Sequence, residues 1–391
     1  MDLGFPTFNF NSELMQQIYD IGIVGGGLAG LALAIESAKA GRRVILFEKE
    51  QFPYHKVCGE YISNESWKYV KQLGVDLDSM NLPKITQLKI SSAEGNELNQ
   101  QLEKGGFGIS RYSLDFELSK IAKKLGVTLL ENTKVEEVNV TANEAKFRTS
   151  NRTYSAKIAV AAHGKRSSLD KKLKRKFILK PQPTSKNYIG IKYHIKAKLP
   201  ENLIGLHLFE NGYCGISKVE GTDRFCLCYL TLASNLKHAG SIEKMEENIL
   251  SKNRYLKEYL SYERYYNQPL VISQINFTQK KAIENGIFML GDAAGLIVPL
   301  CGNGMSMALR AAHEFQLLSE KYLDNTHTIK ELKSSYLKFW KGEFGTRLKA
   351  GRMLQKLFYN KTLVNPALSF LNKTPIITSK IIQLTHGKDI V

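Results

Sequence analysis

DIGIVGGGLAGLALA, residues 20–34, is the stretch from which the rest of the chain is read. The apolar run IYDIGIV (18–24) is a buried parallel strand. Three glycines follow, then LAGLALAIESAKAG, a helix ending at Gly41. RRVILFEKE forms a second buried strand that closes at Glu48. Strand, glycine turn, helix and strand make one βαβ unit. In it Gly25-x-Gly27-x-x-Gly30 has the spacing of a dinucleotide-binding turn. Gly25 permits the tight turn, Gly27 lets backbone approach a pyrophosphate, and Gly30 lets helix and strand pack closely. The helix N-terminus faces the phosphates with unpaired N–H groups and a favourable dipole. Glu48, eighteen residues beyond Gly30, accepts ribose hydroxyls of the adenosine half.

A second segment decides which dinucleotide is bound. Gly291-Asp292 follows the strand GIFML and precedes a helix beginning near Gly302-Asn303-Gly304. An acid at that strand end can hydrogen-bond ribityl or ribose hydroxyls. Pro299, Gly302 and Gly304, with Met305 beside them, let backbone come close to an isoalloxazine. The helix starting there turns its positive end toward the pyrimidine ring and favours an anionic reduced flavin. The cofactor expected is therefore FAD. There is one fingerprint glycine loop, so NAD(P)H would dock transiently, or electrons would come from a protein donor or a quinol.

Working outward, residues 64–74 are predicted helical, and 85–109 alternate like antiparallel strands. SLDFELSKIAKKLG (113–126) is an amphipathic helix with Ser113 as its expected N-cap. Strands follow as far as KIAVAAHG (157–164). From 187 to 231 the runs YIGIKYHIKA, LIGLHLFE, GYCGISKVE and RFCLCYLTL lack intervening helices and predict an antiparallel sheet. Residues 241–253 are helical, 269–277 is a strand, and 303–323, 328–358 and 366–385 are mostly helical. The fold class is α/β: a Rossmann-like FAD-binding domain with an inserted antiparallel β-sheet substrate domain and a helical C-terminus. The expected units are an N-terminal extension (1–17), a discontinuous FAD domain (18–186 and 278–325), a substrate domain (187–277) and a basic helical region (326–391).

The chain has 391 residues, 43% hydrophobic and 24% charged, an ordinary globular composition. Its net charge of +18 favours anionic partners. No helix-turn-helix, zinc-finger or single-strand-binding pattern is present, so nucleic acid is not an expected partner. The cysteines Cys58, Cys214, Cys226, Cys228 and Cys301 suit neither zinc nor a disulfide framework, and no metal site is expected. A reducing cytoplasm fits best. Residues 1–20 lack the basic start of a secretory signal, and the longest uncharged apolar stretch, Ile21 to Ile35, is too short to span a bilayer. The expected state is soluble and cytoplasmic, or at most peripheral to a membrane, with the oligomeric state open. Residues 328–361 carry nine Lys or Arg against Glu331 and Glu343, with Leu337, Phe339, Trp340 and Phe344 interspersed. Such a helix lies on an anionic membrane or packs on the core with its lysines in water. A second basic run, Lys165 to Lys176, meets a phosphate or is simply solvated.

These residues together resemble the FAD-dependent monooxygenase and geranylgeranyl-reductase superfamily, with the p-hydroxybenzoate-hydroxylase fold, over about residues 18–310. DIGIVGGGLAGLALA is similar to its N-terminal fingerprint. ISRYSLDFELSKIA resembles its Arg-x-x-Leu-Asp segment, which implies that Arg111 lies near the flavin chain. Val135 falls where the family's backbone meets the adenine. GDAAGLIVPLCGNGMSMALRAA (291–312) resembles the second flavin motif. One departure is AAHGKRSSL, where His163 replaces the usual acid and weakens a nicotinamide role there; His163 is a neutral donor or a loop residue. HKVCGEYIS (55–63) and GYCGISKVE (212–220, without the usual tryptophan) resemble the geranylgeranyl-reductase-like branch. The tryptophans are Trp67 and Trp340, and no halogenase W-x-W-x-I-P motif occurs.

By this resemblance the cysteine of Lys56-x-Cys58-Gly59 lies close to the flavin, and Cys58 is the candidate catalytic residue. It either tunes or protonates the substrate, since a thiol in an electropositive site ionises more readily, or it is a small packing residue beside Gly59. The resemblance implies an FAD-dependent oxidoreductase acting on a lipophilic small molecule, by reduction of an isoprenoid-type C=C bond. Alternatives are an NAD(P)H-dependent hydroxylase working through a flavin C4a-hydroperoxide, and an electron-transfer flavoprotein to quinone, for which an iron–sulfur motif is missing.

Overall fold

A computed structural model of the chain describes residues 18–390 apart from 143, 180–186, 276 and 361. The expected extension 1–17 lies outside the described residues. The glycine-turn unit forms as read: strand Ile18–Val24, helix Leu28–Lys39 and strand Val44–Phe47. The first sheet runs in spatial order Ile283–Glu284, Ile287–Met289, Thr153–Ala161, Ile18–Val24, Val44–Phe47 and Thr128–Leu130. All of these pairs but the first are parallel. A two-stranded flap, Glu137–Val140 and Ala145–Arg148, adds to Thr153–Ala161. Val24 stands level with Phe47 and Ala161, and Ala161 with Met289. The residues just past these ends, Gly25, Glu48, Ala162 and Leu290, therefore share one rim. Carboxyl ends of parallel strands are where such sheets bind ligands.

The second sheet is wider than the segment 187–277 from which it was expected. Its order is Leu270–Ile275, Tyr188–Lys196, Arg224–Leu232, Gly212–Lys218, Leu203–Phe209, Lys84–Ser91, Glu97–Gly108 and Tyr61–Ser63. The early strands join because Leu203–Phe209 leaves an edge that Lys84–Ser91 fills, in a parallel pairing inside an otherwise antiparallel sheet. Helices between 233 and 259 cover part of one face, packing Met245, Leu250 and Leu256 against Tyr193, Leu227 and Tyr229. The C-terminal helices pack on another surface, where Leu368 and Leu371 meet Leu98, Leu102 and Leu206.

The helix expected to begin at Ser113 begins two residues earlier, at Arg111. Ser110 is its N-cap: the Ser110 Oγ accepts the Ser113 backbone N–H at 3.1 Å, so Ser113 occupies the third helical position. The basic helix Ile329–Phe358 starts with a Thr328/Glu331 capping box and buries Leu332, Tyr336, Trp340, Phe344, Gly351 and Phe358, a stripe at helical spacing. Tyr336 Oη donates to the Met289 carbonyl at 2.5 Å, tying this helix to the first sheet. It is a core helix with lysines on its outer side. The last segment forms two helices, Val364–Lys373 and Pro375–Gln383. Among the described residues, no helix is long and apolar enough to cross a membrane.

Candidate functional site

The three fingerprint glycines have different surroundings. Gly25 has φ +110°, and a Cβ on it would lie 2.6 Å from the Ala162 carbonyl oxygen. A Cβ on Gly30 would lie 2.0 Å from the Gly25 carbonyl oxygen, closer than atoms can approach. Gly27, by contrast, has an ordinary φ of −86°, and a Cβ there would meet nothing nearer than Arg111 Nη2 at 3.7 Å. Gly25 and Gly30 are needed for the turn itself, whereas Gly27 faces open space at a helix N-terminus. A phosphate-bearing ligand fits that space.

Glu48 is buried and fixed by two backbone donors: Gly26 N–H to Oε2 at 2.8 Å and Glu50 N–H to Oε1 at 3.0 Å. Its remaining lone pairs border the cavity with Thr133 and Val135. On the other side of Gly27, Arg111 holds Asp115 bidentately at 2.8 and 2.7 Å, and Lys56 Nζ reaches the same carboxylate at 2.9 Å. Burial alone would raise the Asp115 carboxyl, but the two cations hold it below the usual range. Arg111 and Lys56 thus share one carboxylate on this side of the glycine turn, while Glu48 stands on the other.

At the far end of the rim, Asp292 occupies a short turn, Gly291–Ala293, and lines the cavity. Its carbonyl accepts Lys280 Nζ at 2.7 Å, and burial pulls the Lys280 ammonium down to about 8. Pro299 opens the next turn, Gly302 ends it with φ +64°, and the helix Gly304–Leu323 starts immediately after. Pro299, Gly302, Gly304 and Met305 all border the cavity. Asn303 was not singled out from sequence. It is fully buried, and both amide atoms lack a hydrogen-bond partner. Buried polar atoms left unpaired are costly; Asn303 stands between Gly302 and Gly304 on the cavity wall, although its own side chain does not border the cavity. Its position between two glycines that invite close backbone approach was the available signal.

Cys58 lines the same cavity, with its Sγ 3.6 Å from Met305 Sδ. Donors drawn largely from elsewhere in the chain hold its loop. Lys192 Nζ reaches the Lys56 carbonyl at 3.2 Å, Lys165 Nζ the Val57 carbonyl at 3.2 Å, and Cys226 Sγ the Cys58 carbonyl at 3.3 Å. Glu60, with φ +57° and fully buried, is the hub. Its carboxylate accepts Lys192 Nζ at 2.5 Å, His194 Nε2 at 2.6 Å and the Arg111 backbone N–H at 2.8 Å. Burial would raise this carboxyl; Lys192 and His194 override it and hold it at about 2. Glu60, His194 and Cys226 have ligand atoms within 4.8 Å of one another, as a metal site would, but the Lys192 ammonium already neutralises Glu60. His163 Nε2 pairs with Asp170 at 3.0 Å, and Asp170 is also held by Arg175 at 2.9 Å. His163 thus anchors its loop, and its other ring nitrogen, buried and unpartnered, belongs to a residue on the cavity wall.

Glu48, Gly27, Arg111, Lys56, Cys58, Glu60, His163, Asp292 and Met305 border one cavity of about 1220 Å³. That exceeds a usual single-ligand pocket of roughly 300–1,000 Å³. One part follows the rim from Glu48 and Val135 past Gly27 to Met305. The other is an apolar arm lined by Leu98, Leu102, Leu206, Leu230, Phe358 and Leu371. The arm was not legible as a pocket, since strands before residue 110 and C-terminal helices both supply it.

The rim, the glycine turn and the shared cavity under a second sheet define an FAD-dependent oxidoreductase. The chain belongs to the FAD binding domain family, which it matches over residues 18–320. Over 365 residues it is 24% identical to digeranylgeranylglycerophospholipid reductase 1 of Methanococcoides burtonii, covering 88% of this chain and 85% of that protein. It is 23% identical over 406 residues to conditioned medium factor receptor 1 of Dictyostelium discoideum, covering 94% and 76%. Among solved structures, a geranylgeranyl bacteriochlorophyll reductase-like protein from Thermoplasma acidophilum superposes with a TM-score of 0.76 at 17% identity, covering 94% of this chain and 96% of that one. At that identity the likeness is one of fold.

If Glu48 accepts ribose hydroxyls, Glu48→Ala weakens FAD binding by about 1.5–3 kcal/mol, the range for hydrogen bonds to a charged group. Fluorescence titration of apoprotein with FAD checks this, and an unchanged Kd removes Glu48 from the site.

Proposed function

We propose that this oxidoreductase reduces a C=C bond of an isoprenoid-type substrate held in the apolar arm, with NAD(P)H as a transient electron donor. The observation that carries the reading is that the leucines of that arm line the same cavity as Cys58, Met305 and the rim. The digeranylgeranylglycerophospholipid reductase among the relatives supports it by its name. FAD bound here and reduced by NAD(P)H would supply the hydride for one alkene carbon. Arg111 and the helix beginning at Leu28 bind the diphosphate, Glu48 the adenosine ribose, and Asp292 and the Pro299–Met305 turn the flavin half. The leucines of the arm exclude water and hold the chain of the substrate. The Cys58 thiol gives a proton to the second alkene carbon, so that the hydride and the proton together complete the reduction.

Anaerobic mixing with NADPH and then with a prenyl lipid tests the assignment: flavin absorbance at 450 nm is expected to bleach and then return as saturated product forms. Substrate-triggered oxygen uptake with a hydroxylated product, and no anaerobic reoxidation, would assign a hydroxylase instead. Cys58→Ser is expected to keep FAD and flavin bleaching but to lose alkene turnover at least tenfold, about 1.4 kcal/mol in barrier. Full turnover in that variant leaves Cys58 as a residue chosen for size beside Gly59.

A further inference from the structure

Helix Ile329–Phe358 turns its apolar stripe into the core and its lysines outward, and the surface beyond it is unlike the rest of the molecule. Five of the thirteen large hydrophobic residues exposed among the described residues fall between 363 and 384: Leu363, Phe370, Ile376, Ile377 and Leu384, from 43% to 74% exposed. Exposed apolar residues scattered singly need no explanation, but a concentration of them marks an interaction surface. In the helix Pro375–Gln383, Thr378 is buried. Ile376, Lys380 and Leu384, four apart, form a stripe on the opposite side, with Ile377 beside it. The inner side of the same helix contributes Thr378, Ile381 and Ile382 to the wall of the apolar arm, and Leu371 comes from the helix before it.

Charge decides what covers this face. Residues 326–391 carry twelve Lys or Arg against three Asp or Glu, a net of +9 and half the charge of the chain. Lys373 and Lys380 lie among the exposed apolar residues. A second copy of the chain would bring the same positive field against itself, whereas an anionic lipid surface complements it. Large apolar side chains mixed with lysines on a short helix are the pattern of an element lying in the bilayer interface.

We propose that the helices Val364–Lys373 and Pro375–Gln383 dock on an anionic bilayer through Phe370, Ile376, Ile377 and Leu384, with Lys373 and Lys380 on lipid phosphates. A wall of the apolar arm then lies one helix thickness from the bilayer, and a lipophilic substrate transfers between them with little exposure to water. This last step rests on the proposed lipophilic substrate; docking itself does not.

The test is co-sedimentation of the full-length flavoprotein with phosphatidylcholine vesicles, with and without phosphatidylglycerol, in the absence of substrate and reductant. Binding is expected with phosphatidylglycerol and is expected to weaken as salt is raised, since screening shortens the reach of the lysines. The combined variant Ile376→Ser, Ile377→Ser and Leu384→Ser is expected to bind at least tenfold more weakly, and so is Lys373→Glu with Lys380→Glu. Both should retain full FAD content, which shows that they are folded. Absence of binding to either vesicle overturns the proposal, as does binding that both variants retain. A chain that is dimeric in solution, made monomeric by the serine variant and indifferent to vesicles, would assign the face to a second copy. Vesicle binding and alkene reduction are read separately, so either can fail while the other stands.

Discussion

Gly27→Val is expected to fold and to purify without flavin, while Gly30→Ala is expected to lose stability. The two positions belong to one fingerprint, but their surroundings differ. At Gly27 the backbone is one that any residue adopts, and a Cβ meets only ordinary contacts at 3.7 Å and beyond. The cost in the free protein is limited to a poorer helix cap, about 1 kcal/mol. The branched side chain instead fills the space in front of the helix N-terminus, beside Arg111, where a diphosphate would sit. FAD affinity should fall more than a hundredfold, about 2.7 kcal/mol or more. At Gly30 the added methyl is driven 2.0 Å from the Gly25 carbonyl oxygen, so helix and strand must separate. Overpacking of that kind costs about 1–3 kcal/mol. Thermal melts of the apoproteins and absorbance at 450 nm check both results. A yellow Gly27→Val protein with full FAD content would show that the diphosphate does not approach this turn.

The sequence makes the βαβ unit legible because everything that specifies it is local. A short apolar run, glycines at fixed offsets and an acid at the next strand end lie within the thirty-one residues from Ile18 to Glu48. The return at Gly291-Asp292 was legible for the same reason. The width of the second sheet was not, because Lys84–Ser91 and Leu203–Phe209 pair across more than a hundred residues with no signal in either strand. The capping error at Ser113 has a small physical cause. Ser110 and Ser113 are both hydroxyl residues near the helix start, and Ser110 is the one with extended backbone that leads into Arg111.

The polar cluster behind Cys58 shows where period-two reading fails. In YIGIKYHIK, residues 188–196, Lys192, His194 and Lys196 alternate with Ile191, Tyr193 and Ile195, as in a strand with one face in water. Here Lys192 and His194 are instead buried, because their face covers the loop carrying Cys58. A lysine on the polar face of a strand looks the same in sequence whether it meets water or a carboxylate more than 130 residues away. Nothing local to Glu60 distinguishes it from a surface acid either; only folding brings the three together.

That burial makes Glu60→Gln the most damaging single change expected. Glutamine keeps the size of the side chain but removes the charge opposite Lys192, whose ammonium is 0% exposed. Removing one member of a buried ion pair leaves the other uncompensated and costs about 3–5 kcal/mol. A large share of a typical domain stability of roughly 5–15 kcal/mol is lost with it. The pH dependence has a definite sign. Glu60 is held at about 2 in the folded chain against an ordinary 4.5, so its contribution is complete above about 4.5 and is lost as pH falls toward 2. The Lys192 ammonium is raised by Glu60 against the lowering effect of burial, so its contribution is complete at neutral pH and fades only in strong alkali. Denaturant titrations of wild type and Glu60→Gln should therefore differ most near neutral pH and converge in acid. Pairing Glu60→Gln with Lys192→Met removes the stranded charge and should recover most of the loss, because an ion pair replaced whole by neutral groups is often nearly neutral. A loss below about 1 kcal/mol in the single variant, or no recovery in the double, would mean that the pair does not hold the Cys58 loop. Recovery of stability without recovery of the proposed alkene turnover would show that the Glu60–Lys192 pair, which reaches the Lys56 carbonyl, positions the Cys58 loop for chemistry beyond its share in stability.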